Sequence, residues 1–227
     1  MRIFGQPLRL VVFDLDGVLI DLHRVLQTNL ENTAIAMGLD SSPIAHFMAR
    51  IEQGTSDTGD RGLISSVGAY LHITGDDLKK FRALFPEKEK ENPIPAFPFT
   101  NTILQWLTHK NIYSALCTNN TFDGMMWKLK TAGIPWGHFI TEATSSLGFQ
   151  KPDPRMLQYV LDASCVPPRK TIFVGDWYAD IKTAQVANVA FVGVLSGSLQ
   201  KHVFLREGIS EDHIIDSIND LPGLITE

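Results

Sequence analysis

The sequence predicts an α/β protein: a parallel sheet with helices on both faces, interrupted after its first strand by an all-helical insertion. Three observations predict it. Leu10-Val11-Val12-Phe13 is apolar without alternation, as in a strand buried on both faces, and runs straight into Asp14-Leu15-Asp16-Gly17. Residues 20–94 then carry only helical periodicity. Beyond residue 100 helical and strand patterns alternate, the arrangement that builds parallel sheets.

Composition bounds the answer. A chain of 227 residues can bury a large core and divide into two domains. Hydrophobic residues at 44% and charged residues at 20% fit a globular protein. A net charge of -5 provides no long-range field for nucleic acid or an anionic membrane, so neither is an expected partner. An anionic substrate would need a local positive site or a metal. Cys117 and Cys165 cannot form a multi-bridge framework, which points to a reducing, cytoplasmic setting; Cys117, inside a strand pattern, reads as a buried, inert thiol. No signal-peptide pattern opens the sequence, and no apolar stretch reaches membrane-spanning length.

In chain order, residues 8–13 read as the first strand. Leu22, Val25, Leu26, Leu30, Ala34 and Met37 then recur at helical spacing up to Gly38. Ser42-Pro43 is a cap followed by a first-turn proline, before Ile44, Phe47, Met48 and Ile51. Residues 54–60 form a polar, glycine-bearing loop. Ile64, Val67 and Leu71 mark a third helix, and Thr74 with Asp77 resembles a capping box ahead of Leu78, Phe81, Leu84 and Phe85. Pro93, Pro95 and Pro98 close the insertion as a stiff linker.

The alternation follows. A helix through Ile103, Leu104 and Leu107, capped by Thr100 or Asn101, precedes a strand from Ile112 to Cys117. The next helix carries Phe122, Met125, Met126 and Leu129 and ends at Gly133; residues 138–141 make a short strand. Asp153-Pro154 starts a helix through Leu157, Val160 and Leu161. A strand over 171–174 ends at Gly175-Asp176, and the helix after it closes near Asn188. A strand over 189–194, a helix over 198–207 and an edge strand over 213–216 complete the pattern.

Several strands therefore end in polar, reactive groups: Asp14 and Asp16, then Thr118 and Asn119, then Asp176 with Asp180. In a parallel sheet these ends share one edge, the edge where open α/β sheets place ligands. Carboxylates converging there make a hard-oxygen site of the kind Mg²⁺ prefers. Lys151, in a loop before Pro152-Asp153-Pro154, adds one positive charge. Each group also has a plainer reading. Asp14-Leu15-Asp16-Gly17 can be a polar turn, Asp153 a helix cap, Asp180 a first-turn acid and Lys151 a solvated lysine.

Taken together, Asp14-Leu15-Asp16-Gly17-Val18-Leu19, Thr118-Asn119, Lys151-Pro152 and Gly175-Asp176-Trp177-Tyr178-Ala179-Asp180 resemble the four motifs of the haloacid dehalogenase-like hydrolase superfamily, in order and at similar separations. The insertion resembles the C1-type cap of its phosphoglycolate phosphatase-like and β-phosphoglucomutase-like members. The resemblance implies a Rossmann-like core, residues 1–19 and 95–227, and a helical cap domain, residues 20–94. It implies Asp14 as a nucleophile forming an aspartyl-phosphate, and Asp16 as the acid and base. It implies Mg²⁺ held by Asp14, the Asp16 carbonyl and Asp176, with Asp180 supporting the shell. Thr118, the Asn119 amide and Lys151 would bind the phosphoryl oxygens of a small phosphorylated metabolite.

Three departures from the family pattern stand out: the bulky Trp177 after Asp176, Asp21-Leu22 without the usual small hydroxyl residue, and Phe97-Pro98-Phe99 without a glycine. A narrowed site or an altered metal water shell is the expected consequence of Trp177. In the cap, the 54–61 loop with His23, Arg50 and Arg61 offers candidate leaving-group contacts, against the reading that each is simply solvated. A Mg²⁺-dependent phosphatase is the leading expectation. A phosphomutase with the same nucleophile is the alternative; a dehalogenase is disfavoured by Asp16, and a non-catalytic module by the complete acid set.

Overall fold

A computed structural model describes residues 1–53, 63–92 and 94–227. The chain opens with two short strands, β1 (Arg2–Ile3) and β2 (Gln6–Pro7), and then β3 (Leu10–Phe13). Four helices follow: α1 (His23–Ala36), α2 (Ser42–Glu52), α3 (Leu63–Tyr70) and α4 (Gly75–Glu91). After them come α5 (Thr100–His109), β4 (Tyr113–Cys117), α6 (Phe122–Ala132), β5 (Phe139–Ala143), α7 (Arg155–Ser164) and β6 (Thr171–Gly175). The remainder comprises α8 (Tyr178–Val186), β7 (Ala190–Val194), α9 (Lys201–Arg206), β8 (Ile214–Ile215), α10 (Leu221–Leu224) and β9 (Ile225–Thr226).

Six strands form one sheet in the order β5-β4-β3-β6-β7-β8, and every neighbouring pair is parallel. The first strand of the alternation thus lies in the interior, between β4 and β6. All four of its residues are buried, which explains the unbroken apolar run. Its side chains divide by pleat. Leu10 and Val12 join one apolar cluster with Met156 and Leu157 of α7, Ile181 of α8 and Phe204 of α9. Val11 and Phe13 join the other, with Leu104 and Leu107 of α5 and Met125 and Leu129 of α6. Helices therefore cover both faces, as the alternation predicts.

The chain turns to opposite sides after β3 and after β6, so these neighbours define the topological switch point, where a crevice opens beyond their carboxyl ends. Phe13 is in register with Leu116 of β4 and Val174 of β6. The residues that follow those positions consequently emerge side by side.

The four inserted helices bury the stripes expected of them. Leu26, Leu30 and Ala34 face inward from α1; Ile44, Phe47, Met48 and Ile51 from α2; Val67 from α3; Phe81 and Phe85 from α4. The segments that lead in and out run together: Asp21 N–H donates to Pro95 O at 2.9 Å, Phe97 N–H to Leu19 O at 3.1 Å, and Thr100 Oγ1 to Leu19 O at 2.8 Å. Asn92 Nδ2 donates to Asn29 Oδ1 at 2.9 Å, tying the end of α4 to α1.

Local signals held to different degrees. Gly38, Gly133 and Asn188 take the left-handed conformation that ends their helices, with φ of 72°, 69° and 53°. The Thr74 side chain makes no cap bond, so the expected capping box does not form. At α2 the cap is shifted: Asp40, not Ser42, supplies the acceptors, taking the Ser42 N–H and hydroxyl at 2.9 and 2.8 Å. The helix expected over 198–207 shortens to α9. A second, antiparallel sheet, β2-β1-β9, escaped the sequence because two-residue strands show no periodicity. Cys117 is fully buried, and burial holds its thiol well above the usual range, as an inert thiol requires; Cys165 is exposed and neither is bridged. No helix among the described residues is long and apolar enough to cross a membrane.

Candidate active site

The carboxyl ends of β3 and β6 deliver Asp14 and Asp176 to the crevice, and the first turn of α8 adds Asp180. One carboxylate oxygen from each lies within 4.8 Å of the other two. All three residues are buried. Like charges at that spacing repel, and burial adds to the cost. Lys151 offsets part of it. Its side chain is 3% exposed, and its ammonium stands 2.8 Å from Asp14 Oδ1 and 2.6 Å from Asp180 Oδ1. With one ammonium against three carboxylates, the cluster is negative in excess whenever all three are ionised.

The protonation states record this balance. Burial, against the pull of Lys151 and with the push of Asp180 and Asp16, raises the Asp14 carboxyl to about 7. Burial and the neighbouring Asp180 and Asp14 hold Asp176 well above the ordinary carboxylate range. Burial alone would lower Lys151, but Asp14 and Asp180 outweigh it and hold the ammonium charged. The donor set suits a hard divalent cation: all oxygen, negative in excess, and converging.

Glycines make room for this packing. A Cβ on Gly17 or on Gly197 would collide with the Asp176 carboxylate, and one on Gly175 would overlap Asp180. Gly17 also turns with a φ of 76°, which disfavours any other residue. The acids are held from behind by main-chain donors. Leu15 N–H reaches Asp14 Oδ1 at 2.8 Å, Ser198 N–H reaches Asp176 Oδ2 at 3.1 Å, and Asp180 Oδ2 accepts from Asp176 N–H and Trp177 N–H at 3.2 and 3.0 Å. No protein donor reaches Asp14 Oδ2 among the described residues.

Thr118 is buried at the end of β4, where its hydroxyl accepts from Asn120 Nδ2 at 2.7 Å. The Asn119 side chain does not face the carboxylates. It clamps the Lys151 main chain, accepting from Lys151 N–H at 2.7 Å and donating to Lys151 O at 3.1 Å. The Asn119 main-chain N–H has no acceptor among the described residues.

Asp16 is turned to a different set of partners. Its Oδ1 lies 2.8 Å from Lys128 Nζ of α6, and its Oδ2 accepts from Asn120 Nδ2 at 2.5 Å. Lys128 also pairs with Glu89 Oε1 of α4 at 3.0 Å. Burial lowers the Lys128 ammonium, but Asp16 and Glu89 outweigh it and hold it charged; burial raises Glu89 despite Lys128. Sequence reasoning missed Lys128, Glu89 and Asn120. A signal was there: Lys128 falls between Met125 and Leu129 on the inner face of α6, and Glu89 continues the Phe81–Phe85 stripe of α4. Opposite charges on two inward faces are the signature of a buried pair.

The remaining candidates are Trp177, Arg50, His23 and Arg61. Trp177 is partly buried, packed beside Tyr178 with ring centroids 6.0 Å apart, and its N–H, not its ring, bonds to Asp180. Arg50 lies exposed in the last turn of α2. His23 begins α1, while Arg61 and the 54–61 loop lie outside the described residues.

Comparison with known proteins matches residues 11–194 to the family model described as haloacid dehalogenase-like hydrolase. A phosphoglycolate phosphatase of Pseudomonas fluorescens is 29% identical over 97% of this chain and 81% of its own length. The pyrophosphatase PpaX of Oceanobacillus iheyensis is 25% identical over 97% of this chain and 98% of its own. Among solved structures, one from Haemophilus somnus, described as a predicted phosphoglycolate phosphatase, superposes with a TM-score of 0.79 at 23% identity, covering 96% of this chain and 97% of that one. A Thermotoga maritima structure provisionally described as a β-phosphoglucomutase gives a TM-score of 0.71 at 21% identity, covering 96% and 98%.

Proposed function

The chain belongs to the haloacid dehalogenase-like hydrolases, and from that membership we propose that it is a Mg²⁺-dependent phosphatase acting on a small phosphorylated metabolite through an aspartyl-phosphate. One observation carries the reading: Asp14 sits at the end of β3 with one oxygen held by Leu15 N–H and Lys151, while Asp176 and Asp180 converge beside it.

Asp14 is the nucleophile. Its carboxylate oxygen forms a bond to phosphorus as the bond from phosphorus to the ester oxygen breaks. Asp16 gives its proton to the departing alkoxide, then takes one from the water that attacks the aspartyl-phosphate, releasing phosphate and restoring Asp14. Thr118, the Asn119 N–H and Lys151 bind the phosphoryl oxygens as charge develops on them, and the Asn119 side chain holds Lys151 in place. Asp14, Asp176 and the Asp16 carbonyl hold the metal, with Asp180 orienting them. Bound there, a divalent cation offsets the repulsion between the Asp14 carboxylate and a phosphate dianion.

Residues 20–94 act as a cap on a core of residues 1–19 and 95–227. The adjacent crossings at Leu19–Phe97 and Asp21–Pro95 support that division, and closure over the strand ends would exclude water. His23, Arg50 and Arg61 remain candidate contacts for the leaving group. The unbridged cysteines support a cytoplasmic setting. The relatives' names differ in substrate, phosphoglycolate against pyrophosphate, so the substrate here is placed at the level of small phosphate compounds.

A phosphate-compound panel with Mg²⁺, with chelator and with Asp14→Asn tests the reading. Turnover that needs both the metal and Asp14 supports it. Robust turnover by Asp14→Asn, or indifference to chelation, would overturn it. Product analysis with a sugar phosphate separates hydrolysis from transfer to a substrate hydroxyl, the reaction of a mutase.

A further inference from the structure

Lys128 is out of place by ordinary rules. It lies on the inner face of α6 beside Met125 and Leu129, and its side chain is 4% exposed. A buried ammonium needs partners, and the nearby, buried Glu89 alone would balance the charge of a structural lysine. Lys128 instead also reaches Asp16, whose side chain keeps 19% of its surface exposed. Asn120 holds the other Asp16 oxygen. Both oxygens of that carboxylate are thereby fixed from two directions, which sets the plane of the carboxylate and the rotamer of Asp16.

The three charged groups come from three distant segments: the loop after β3, the last turns of α4, and α6. Glu89 anchors the lysine from the inserted helices, and the lysine orients the acid from the core. We propose that Lys128 is a positioning residue for Asp16, forming with Asn120 a cradle that fixes the carboxylate that donates and accepts the reaction's proton. The inference rests on the reading of Asp16 as the acid and base.

The experiment follows the leaving group. Proton donation matters for an alkyl ester, whose alkoxide leaves poorly, and little for p-nitrophenyl phosphate, whose phenolate leaves without a proton. Single-turnover release is measured for p-nitrophenyl phosphate and for the alkyl ester that the panel shows to be turned over best. Asp16→Ala sets the reference and is expected to slow the alkyl ester selectively. Lys128→Met is expected to slow the alkyl ester at least tenfold more than the aryl ester, Asn120→Ala at least threefold more, and Lys128→Arg to return the ratio to within threefold of wild type.

Equal slowing of both esters in Lys128→Met and Asn120→Ala, beside a selective loss in Asp16→Ala, overturns the cradle and leaves the acid assignment standing. Absence of a selective loss in Asp16→Ala instead overturns the acid assignment, and the cradle with it. Should Lys128→Met not fold, Asn120→Ala decides, because Asn120 lies in a partly exposed loop.

Discussion

The side chain of Asn119 grips the main chain of Lys151 on both sides, accepting from its N–H at 2.7 Å and donating to its carbonyl at 3.1 Å. This pair joins the end of β4 to the loop before α7 and places the ammonium between Asp14 and Asp180. Asn119→Ala removes both bonds without touching any charge. We expect it to lower stability by about 1–2 kcal/mol, and kcat/KM by roughly tenfold through a displaced Lys151. Urea unfolding and steady-state kinetics check the two effects; unchanged kinetics in a less stable protein would confine Asn119 to a structural role.

Lys151→Met should be more severe and depend on pH. It leaves Asp14 and Asp180 buried without their counter-charge, a loss of about 3–5 kcal/mol for a buried pair broken on one side. The loss is expected at pH 8, above the Asp14 value of about 7. It should shrink towards pH 5, where Asp14 and Asp176 can take up protons instead. Unfolding free energies of wild type and variant at the two pH values measure it; a loss independent of pH would show that the charges are not what Lys151 compensates.

The metal-free protein should become less stable as pH rises from about 4 to about 7. Asp14 is raised from 3.8 to about 7 by burial, so across that window the folded state keeps a proton that the unfolded chain has lost. Stability tied to that proton is complete below the unfolded value and lost as pH climbs through the folded one. Asp176 and Glu89 act in the same direction. The acids whose values are lowered, such as Asp40 and Asp153, titrate below the window and do not oppose it, while His138, lowered by burial, opposes it in part. Because a cation bound by Asp14 and Asp176 displaces their protons, Mg²⁺ affinity should rise with pH through about 7. Calorimetric titration and melting curves from pH 5 to 8 test both; metal-free melting temperatures that climb through the window would reject the assignment.

These predictions lean on residues of unequal legibility. Asp14, Thr118, Asp176 and Asp180 could be read from the sequence because a parallel sheet forces successive strand ends onto one edge, whatever the helices between them do. Lys151, in the loop before α7, was legible only in the company of the other motifs. The sheet order could not, since no periodicity states that β3 lies between β4 and β6. Asn119 was legible as a candidate site residue, but where its side chain turns depends on a loop 32 residues away. Lys128 and Glu89 were visible only as charges on apolar faces, and their pairing required knowing that α4 and α6 meet above Asp16. Trp177 illustrates the reverse. Its bulk suggested a narrowed site, yet its link to the acids is a main-chain bond that any residue but proline could make.

Trp177→Ala should therefore spare the metal site. The variant keeps the N–H that binds Asp180 Oδ2 and loses only the ring, packed beside Tyr178 and the apolar cluster below α8. A stability loss of about 1–3 kcal/mol is expected from the missing aromatic surface. Mg²⁺ affinity by calorimetry should remain within about threefold of wild type. A larger drop would mean that the ring itself shapes the space around the metal.

Gly197→Ala makes the complementary case, a change of one methyl group that should disable metal binding. Gly197 precedes Ser198, whose N–H holds Asp176 Oδ2 at 3.1 Å. A Cβ there would collide with Asp176 at its Cβ, Cγ and Oδ2. Unlike Gly17, Gly197 does not have a positive φ, so alanine brings no backbone penalty and the steric conflict stands alone. The obstacle is a short, buried side chain fixed at the end of β6, which cannot swing aside as a flexible tip could. Asp176 must move or the 196–198 turn must open, and either change pulls a ligand from the three-carboxylate cluster. Mg²⁺ affinity should fall at least about tenfold, the scale of losing a group that orients a ligand. Gly223→Ala, where a Cβ meets nothing within 4 Å, serves as the control and should bind the metal as wild type does. Equal affinities for the two variants would show that Asp176 is not a ligand.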